Sequence, residues 1–290
     1  MSGDGPIGIA VVAKEAGWTS HDVVAAARKH LGTRKVGHAG TLDPDATGVL
    51  VLGVGRATRL LRFMTALPKT YTATVVLGAE TSTLDASGET TATHDMSAVS
   101  AADIHRVAAR FVGTIEQIPP MVSAIKIDGR RLHELAREGK EVEREPRTVT
   151  IHHLDIRDVD TVAGTFTVDV GCSSGTYIRT LGADLGSALG GGAHIRDLVR
   201  TSIGSFGLDR ARPLEKIELL TPAEGLADMA AVEVRPDVAT DVTHGKVLDP
   251  GRLGVEGTGP WAVLDHDGQL LAVYVEHRAG SVKPAVVLAG

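Results

Sequence analysis

The segment from Lys35 to Arg62, KVGHAGTLDPDATGVLVLGVGRATRLLR, holds the densest chemistry in the chain. A polar, glycine-rich loop carries Asp43 against Pro44 and runs directly into the apolar stretch Val49 to Val54. A loop side chain at the mouth of a buried strand is a common way for a scaffold to present a reactive group. Between Arg28 and Thr70 stand eight Lys or Arg (Arg28, Lys29, Arg34, Lys35, Arg56, Arg59, Arg62, Lys69) against two acids, Asp43 and Asp45. One carboxylate in a basic surround points to carboxylate chemistry on a polyanion. Asp-Pro beside glycine is also ordinary turn chemistry, because Asp bonds nearby backbone and Pro presets φ. The long loop and its basic flanks set Asp43 apart from such a turn.

A second informative stretch is Gly171-Cys172-Ser173-Ser174-Gly175-Thr176-Tyr177-Ile178-Arg179-Thr180. A strand ends, a glycine turn follows, and Arg179 falls in the first turn of a helix. By spacing alone it could equally be a surface or helix-lining arginine; paired with Asp43, it would keep that carboxylate ionised and oriented. Other familiar sites fail on inspection. Gly53-Val54-Gly55-Arg56-Ala57-Thr58 starts like a dinucleotide fingerprint but has Thr where the third glycine belongs. His152 and His153 are adjacent on a strand and face opposite ways, so they cannot chelate one metal. There is no GxSxG elbow, and Gly190 to Gly192 lacks the Lys-Ser/Thr of a phosphate loop.

Several elements must hold these residues in place. Ile7 to Val12 reads as a strand, and Thr19 or Ser20 caps a helix through about Leu31. Val49 to Val54 is a strand and Arg56 to Leu67 a helix ended by Pro68. Lys69 to Ala79 alternates as a half-buried strand with Tyr71 near its start. Ser100 and Asp103 form a capping box for a helix to Phe111, with Gly113 beyond it. Gln117 to Pro120 reads as an extended connector. Met121 to Ile127 is expected as a strand, turned at Asp128-Gly129 into a helix from Arg131 to Glu138. Strands near 147–156 and 165–171, a helix from Thr176 to Leu189 and a strand from Ala193 to Gly204 follow. Adjacent strands with irregularly spaced helices favour an α+β fold with a mixed sheet over a doubly wound parallel one. After about residue 225, short strands near Pro260 to Leu264, Leu270 to Val275 and Pro284 to Leu288 read as a small β-rich module. The expected division is 1–224 and 225–290.

Composition bounds the class. The 290 residues, 43% hydrophobic and 23% charged, are those of an ordinary globular chain. No run of about 18 apolar residues occurs, and Met-Ser-Gly-Asp-Gly lacks the features of a signal peptide, so a cytoplasmic protein without membrane contact is expected. One cysteine, Cys172, excludes an internal disulfide and leaves no CxxC pair for zinc. The net charge of −6 argues against nucleic acid when taken alone. Its distribution argues otherwise: residues 80–104 hold five acids and no Lys or Arg, and residues 225–290 nine acids against five bases. The positive charge is concentrated early, which permits a basic face on an acidic protein.

Gly37-His38-Ala39-Gly40-Thr41-Leu42-Asp43-Pro44-Asp45-Ala46-Thr47-Gly48-Val49-Leu50 closely resembles the signature of bacterial tRNA pseudouridine-55 synthases of the TruB type. The resemblance continues through Lys69-Thr70-Tyr71, through Gln117-Ile118-Pro119-Pro120-Met121-Val122-Ser123-Ala124-Ile125-Lys126 and through Gly175-Thr176-Tyr177-Ile178-Arg179. It ends with Gly192-Ala193-His194 to Leu198 and Arg200, so it spans roughly residues 7–213 in the family's order. It implies the pseudouridine synthase fold, a PUA-type RNA-binding module at the C-terminal end, tRNA (its T stem-loop) as partner, no cofactor or metal, and a monomer without an obligatory protein partner. By resemblance Asp43 is the nucleophile that breaks the uridine glycosidic bond, Tyr71 stacks on the base, and Arg179 pairs with Asp43. Leu198 walls the uracil pocket, and His38 fills the space a flipped nucleotide leaves. Gly40 of the signature, Lys14 and Lys126 complete the expected substrate-binding set; Lys14, Lys126 and Lys69 read as phosphate contacts or solvated charges rather than chemical groups.

The chain departs from the family at Lys14-Glu15, where Lys-Pro is usual, at His133, where Tyr is common, and at Ser82, where Asp is frequent. Asp85 reads as a structural loop acid. Two rival functions are a tRNA-binding folding chaperone and a pseudouridine synthase acting on another RNA. Product formation on unmodified transcript separates the first, and comparison of stem-loop substrates the second.

Overall fold

Every residue from Gly48 to Val54 is buried because both faces of this strand are covered. Val49 and Val51 join one apolar cluster with Ile9, Val11 and Met64. Leu50, Leu52 and Val54 join another with Val23, Val24 and Ala27. The computed structural model describes residues 5–122, 126–127, 130–131, 142–278 and 280–288. In chain order its strands are β1 (Gly8–Lys14), β2 (Val36–His38), β3 (Thr47–Val54), β4 (Lys69–Leu77), β5 (Ala79–Thr81), β6 (Thr90–Thr93), β7 (Gly113–Gln117), β8 (Lys126–Ile127), β9 (Arg130–Arg131), β10 (Arg147–Asp160), β11 (Thr165–Cys172), β12 (Ala193–Ile203) and β13 (Phe206–Gly207). The C-terminal part adds β14 (Ala230–Glu233), β15 (Trp261–Leu264), β16 (Leu270–Glu276) and β17 (Val282–Val287).

The central sheet runs β1-β3-β12-β4-β11-β10-β7, with β2 on β3 and β13 on β12. Among the described residues its one parallel pairing between strands is β3 with β12, through Val199↔Thr47 and Arg200↔Gly48. The fold is therefore the expected α+β class with a mixed, largely antiparallel sheet. Helix Ser20–His30 is opened by a reciprocal capping box between Thr19 and Asp22. Helices Ala101–Ala108 and Ile178–Ala188 supply Ile104, Val107, Leu181 and Leu185 to a cluster with Ala73, Val75, Phe166 and Val168 of the sheet. A separate four-stranded sheet, β14-β15-β16-β17, forms the C-terminal part. It packs Val238 and Val242 of helix Pro236–Thr243 together with Val263 and Tyr274. Ala262, Leu270, Val273 and Val286 join the cluster of Ile9 and Met64 instead. Arg59 and Arg62 donate to the Val287 and Ala285 carbonyls, each at 2.7 Å.

Several boundaries differ from expectation. Arg56 to Leu67 is a 3-10 segment, Gly55–Leu60, followed by a short α-helix, Leu61–Ala66. Gly113 opens a strand as well as ending a helix, so the expected connector begins inside β7. Gly78, with φ of 86°, divides the strand expected over Lys69 to Ala79. The strand β14 and helix Pro236–Thr243 had no apolar period long enough to announce them. Of the expected strand–turn–helix from Met121 to Glu138, β8 and β9 pair as Lys126↔Arg131 and Ile127↔Arg130. The turn residues Asp128-Gly129 and residues 132–138 lie outside the described residues.

Candidate active site

The loop bearing Asp43 leaves the sheet where the Ala39 amide donates to the Val51 carbonyl at 2.9 Å. Gly40 follows with φ of 105°, a conformation open to glycine and strained for other residues. Ser20 clamps the next residue: its Oγ accepts from the Leu42 amide at 2.9 Å and donates to the Leu42 carbonyl at 3.2 Å. Beyond Asp43, the Lys14 ammonium donates to the carbonyls of Pro44 (2.9 Å), Ala46 (2.6 Å) and Glu15 (2.9 Å). Asp43 is thus held between two anchors on separate elements. Lys14, expected as a phosphate contact or solvated charge, is instead a buried strut, because its three donors are directed at main-chain oxygens. Burial lowers its pKa to about 8 against the pull of Asp43 and Asp45.

Arg179 meets Asp43 in a two-point pair, Nε to Oδ2 at 2.9 Å and Nη2 to Oδ1 at 3.2 Å. Its remaining donors reach the Thr83 carbonyl from Nη1 and the Val122 carbonyl from Nη2, both at 2.8 Å. Asp85 adds a second carboxylate 3.6 Å from Nε. Asp85 is itself fixed, its Oδ1 accepting from Thr83 Oγ1 and Ser87 Oγ, each at 2.6 Å. The helix carrying Arg179 is located by Gln117 at the end of β7. The Gln117 side chain accepts from the Tyr177 amide at 3.0 Å and donates to the Tyr177 carbonyl at 3.3 Å. Burial raises the Asp43 pKa above its ordinary value, outweighing the opposing influence of Arg179, and the nearby Asp85 adds to the rise.

Tyr71 on β4 stands opposite Arg200 on β12 in the ladder. Arg200 is 1% exposed, and its guanidinium donates to Val49 (2.8 Å), Thr41 (3.3 Å) and Gly40 (3.1 Å) carbonyls. Its guanidinium thereby ties the Asp43 loop to β12, the ladder neighbour of the strand bearing the aromatic. Burial raises the Tyr71 pKa, opposed by Arg200. The ladder between β12 and β4 slips between Arg196 and Val199, with Asp197 at φ of 55°. At this bulge Leu198 is turned to line the site. Lys69 also lines it, donating to the Thr65 and Leu67 carbonyls at 2.6 Å each, and burial lowers its pKa to about 8.

Gly40, Asp43, Tyr71, Arg179, Leu198 and Arg200 thus face one cavity of about 420 Å³. His38 lies apart from the lining residues, with its ring edge to face on His21, centroids 5.5 Å apart. The side chain of Lys126 lies outside the described residues, as does His133. Sequence reasoning missed Asp85, Arg200 and Gln117 as site-forming groups. Arg200 stood inside the resemblance, and a basic residue within the strand pattern of β12, which also holds Arg196, was its available signal. Part of the basic surround is tied to main-chain carbonyls, although Arg28, Arg59 and Arg62 stay exposed. Lys69 is 5% exposed, Arg28 donates to the Val36 carbonyl at 3.0 Å, and Arg59 and Arg62 hold β17. Lys29, Arg34 and Lys35 remain exposed.

Comparison with known proteins gives the family of the chain. Residues 28–178 match "TruB family pseudouridylate synthase (N terminal domain)", and residues 229–289 match "tRNA Pseudouridine synthase II, C terminal". The tRNA pseudouridine synthase B of Arthrobacter sp. (strain FB24) is 44% identical, over 97% of this chain and 96% of that protein. That of Rhodococcus jostii (strain RHA1) is 47% identical, over 95% and 92%. Among solved structures, an H/ACA RNP bound to a substrate RNA containing 2'-deoxyuridine superposes with a TM-score of 0.73 at 23% identity, over 98% of this chain and 85% of that one. That likeness establishes the pseudouridine synthase fold. With both parts of the chain matched and full-length relatives well above 40% identity, the protein belongs to the TruB family of pseudouridylate synthases and is an isomerase.

Proposed function

We propose that the protein isomerises uridine 55 in the T loop of tRNA to pseudouridine, with Asp43 as nucleophile. The observation that carries this reading is the two-point Arg179–Asp43 pair, set with Tyr71 and Leu198 on a cavity of about 420 Å³. A base inside a stacked helix cannot reach a recessed carboxylate, so the target nucleotide must be flipped out. Tyr71 offers a ring face that offsets part of the lost stacking, at roughly 1 to 3 kcal/mol per base. Asp43 adds to the nucleoside as the N1–C1′ bond breaks. The freed uracil turns, C5 joins C1′, the C5 proton leaves, N1 regains a proton, and Asp43 is released unchanged. Substrate and product have the same composition, so the reaction consumes no co-reactant.

Within this proposal residues 1–224 form the catalytic unit and 225–290 a second, RNA-facing unit of a monomeric cytoplasmic enzyme. All four C-terminal strands lie between Ala230 and Val287, in keeping with that division. Asp43→Asn should abolish tritium release from C5-labelled uridine in tRNA while the variant still binds the transcript. Retained turnover would overturn the assignment.

A further inference from the structure

We infer that the indole of Trp18 is a stacking platform for an unpaired base of the RNA, outside the catalytic cavity. The inference rests on the RNA-modifying reading above. The chain has only nine Phe, Trp and Tyr residues in all. Among the described residues, Trp18 is the sole aromatic in the set of large hydrophobic side chains left exposed, at 40%. Of the others, Phe166, Phe206 and Tyr274 are among the largest fully buried side chains, Trp261 is 5% exposed, and Phe63, Tyr71, Phe111 and Tyr177 are half-buried.

The backbone beneath Trp18 is anchored. The Gly17 amide donates to the Pro44 carbonyl at 3.0 Å, and the Lys14 ammonium donates to that same carbonyl and to Glu15. On the other side Thr19 is fixed as helix cap by its reciprocal bonds with Asp22. The platform therefore shares an anchor, the Pro44 carbonyl, with the loop that presents Asp43. With the backbone anchored, only the side-chain torsions of Trp18 remain to be ordered on binding, which favours its use as a contact.

The neighbouring charges narrow the partner. The exposed charged residues nearest Trp18 in the chain, Glu15 and Asp22, are both acids and repel phosphate, which favours the face of a base over the backbone as its partner. Stacking of this kind tolerates any base, since every base has a π-face. A platform outside the cavity would orient an unpaired nucleotide next to the one flipped toward Asp43.

Having two tryptophans, of which one is buried, makes the test direct. Unmodified tRNA transcript titrated into the full-length protein should quench tryptophan emission, and Trp18→Phe should remove that quench. Trp18→Ala should raise KM and the Kd for transcript by roughly 5- to 100-fold, and Trp18→Phe should restore most of the affinity. Both substitutions are at the surface and spare the fold, as circular dichroism would verify. Transcript that binds by filter assay without altering Trp18 emission, or unchanged Kd in Trp18→Ala, would overturn the stacking role. Absence of any binding or product with the unsubstituted protein would instead overturn the RNA reading itself.

Discussion

Arg179 donates to Asp43 and to the carbonyls of Thr83 and Val122, and lies 3.6 Å from the Asp85 carboxylate. Asp43 accordingly sits under two opposed influences: burial and Asp85 favour its protonated form, and Arg179 favours the carboxylate. In the proposed mechanism the carboxylate is the reacting form. Because the balance raises the Asp43 pKa, kcat/KM should fall with decreasing pH below a pKa higher than the ordinary value of about 3.9. Arg179→Gln removes the group that opposes the rise and should move this acid limb to still higher pH. A pH profile of single-turnover pseudouridine formation tests the sign, and a limb that stays in place would exclude Asp43 as the titrating group. The signature around Asp43 and the helix-start Arg179 could both be read from sequence. Asp85 could not, because a loop acid bonded to Thr83 and Ser87 has the same sequence appearance whether or not an arginine approaches from the other side.

At the level of elements, the site depends on the parallel pairing of β3 with β12 in the central sheet. Gly48, with φ of 103°, lies against the Arg200 backbone, and a Cβ there would stand 2.2 Å from the Arg200 carbonyl oxygen. Gly48→Ala must therefore separate β3 from β12 or abandon the conformation. It should destabilise the protein by about 2 kcal/mol or more, combining backbone strain with lost pairing. Urea unfolding would show this as a lower midpoint with a similar slope. An unchanged midpoint would mean that the contact is dispensable. The bulge at Asp197 is the companion device, turning Leu198 into the cavity from a strand whose regular alternation would not have placed it there.

At the level of the whole molecule, the C-terminal sheet shares apolar packing with the larger one. Ile9, Met64, Leu226, Val273 and Val286 belong to a single buried cluster, and Arg59 and Arg62 fasten β17 across the junction. Apolar contact of this extent couples the two units, so thermal unfolding should be one cooperative transition. Calorimetry resolving two well-separated transitions would show that the units unfold independently.

The sequence by itself determined the principal elements, the mixed α+β class and the residues of the signature. These follow from local information: apolar runs and alternation, capping pairs such as Thr19 with Asp22 and Ser100 with Asp103, and the spacing of Asp43, Tyr71 and Arg179. Tertiary structure decided which charges are available and which are structural. Lys14, Lys69, Arg59, Arg62 and Arg200 are alike in sequence as cations, yet all hold main-chain carbonyls here. It also decided the partners, since Arg179 meets Asp43 across 136 residues of chain and Tyr71 meets Arg200 through a strand register. The physical reason is that a side chain's charge is a property of its residue type. Its solvation and its hydrogen-bond partner are properties of the packed fold.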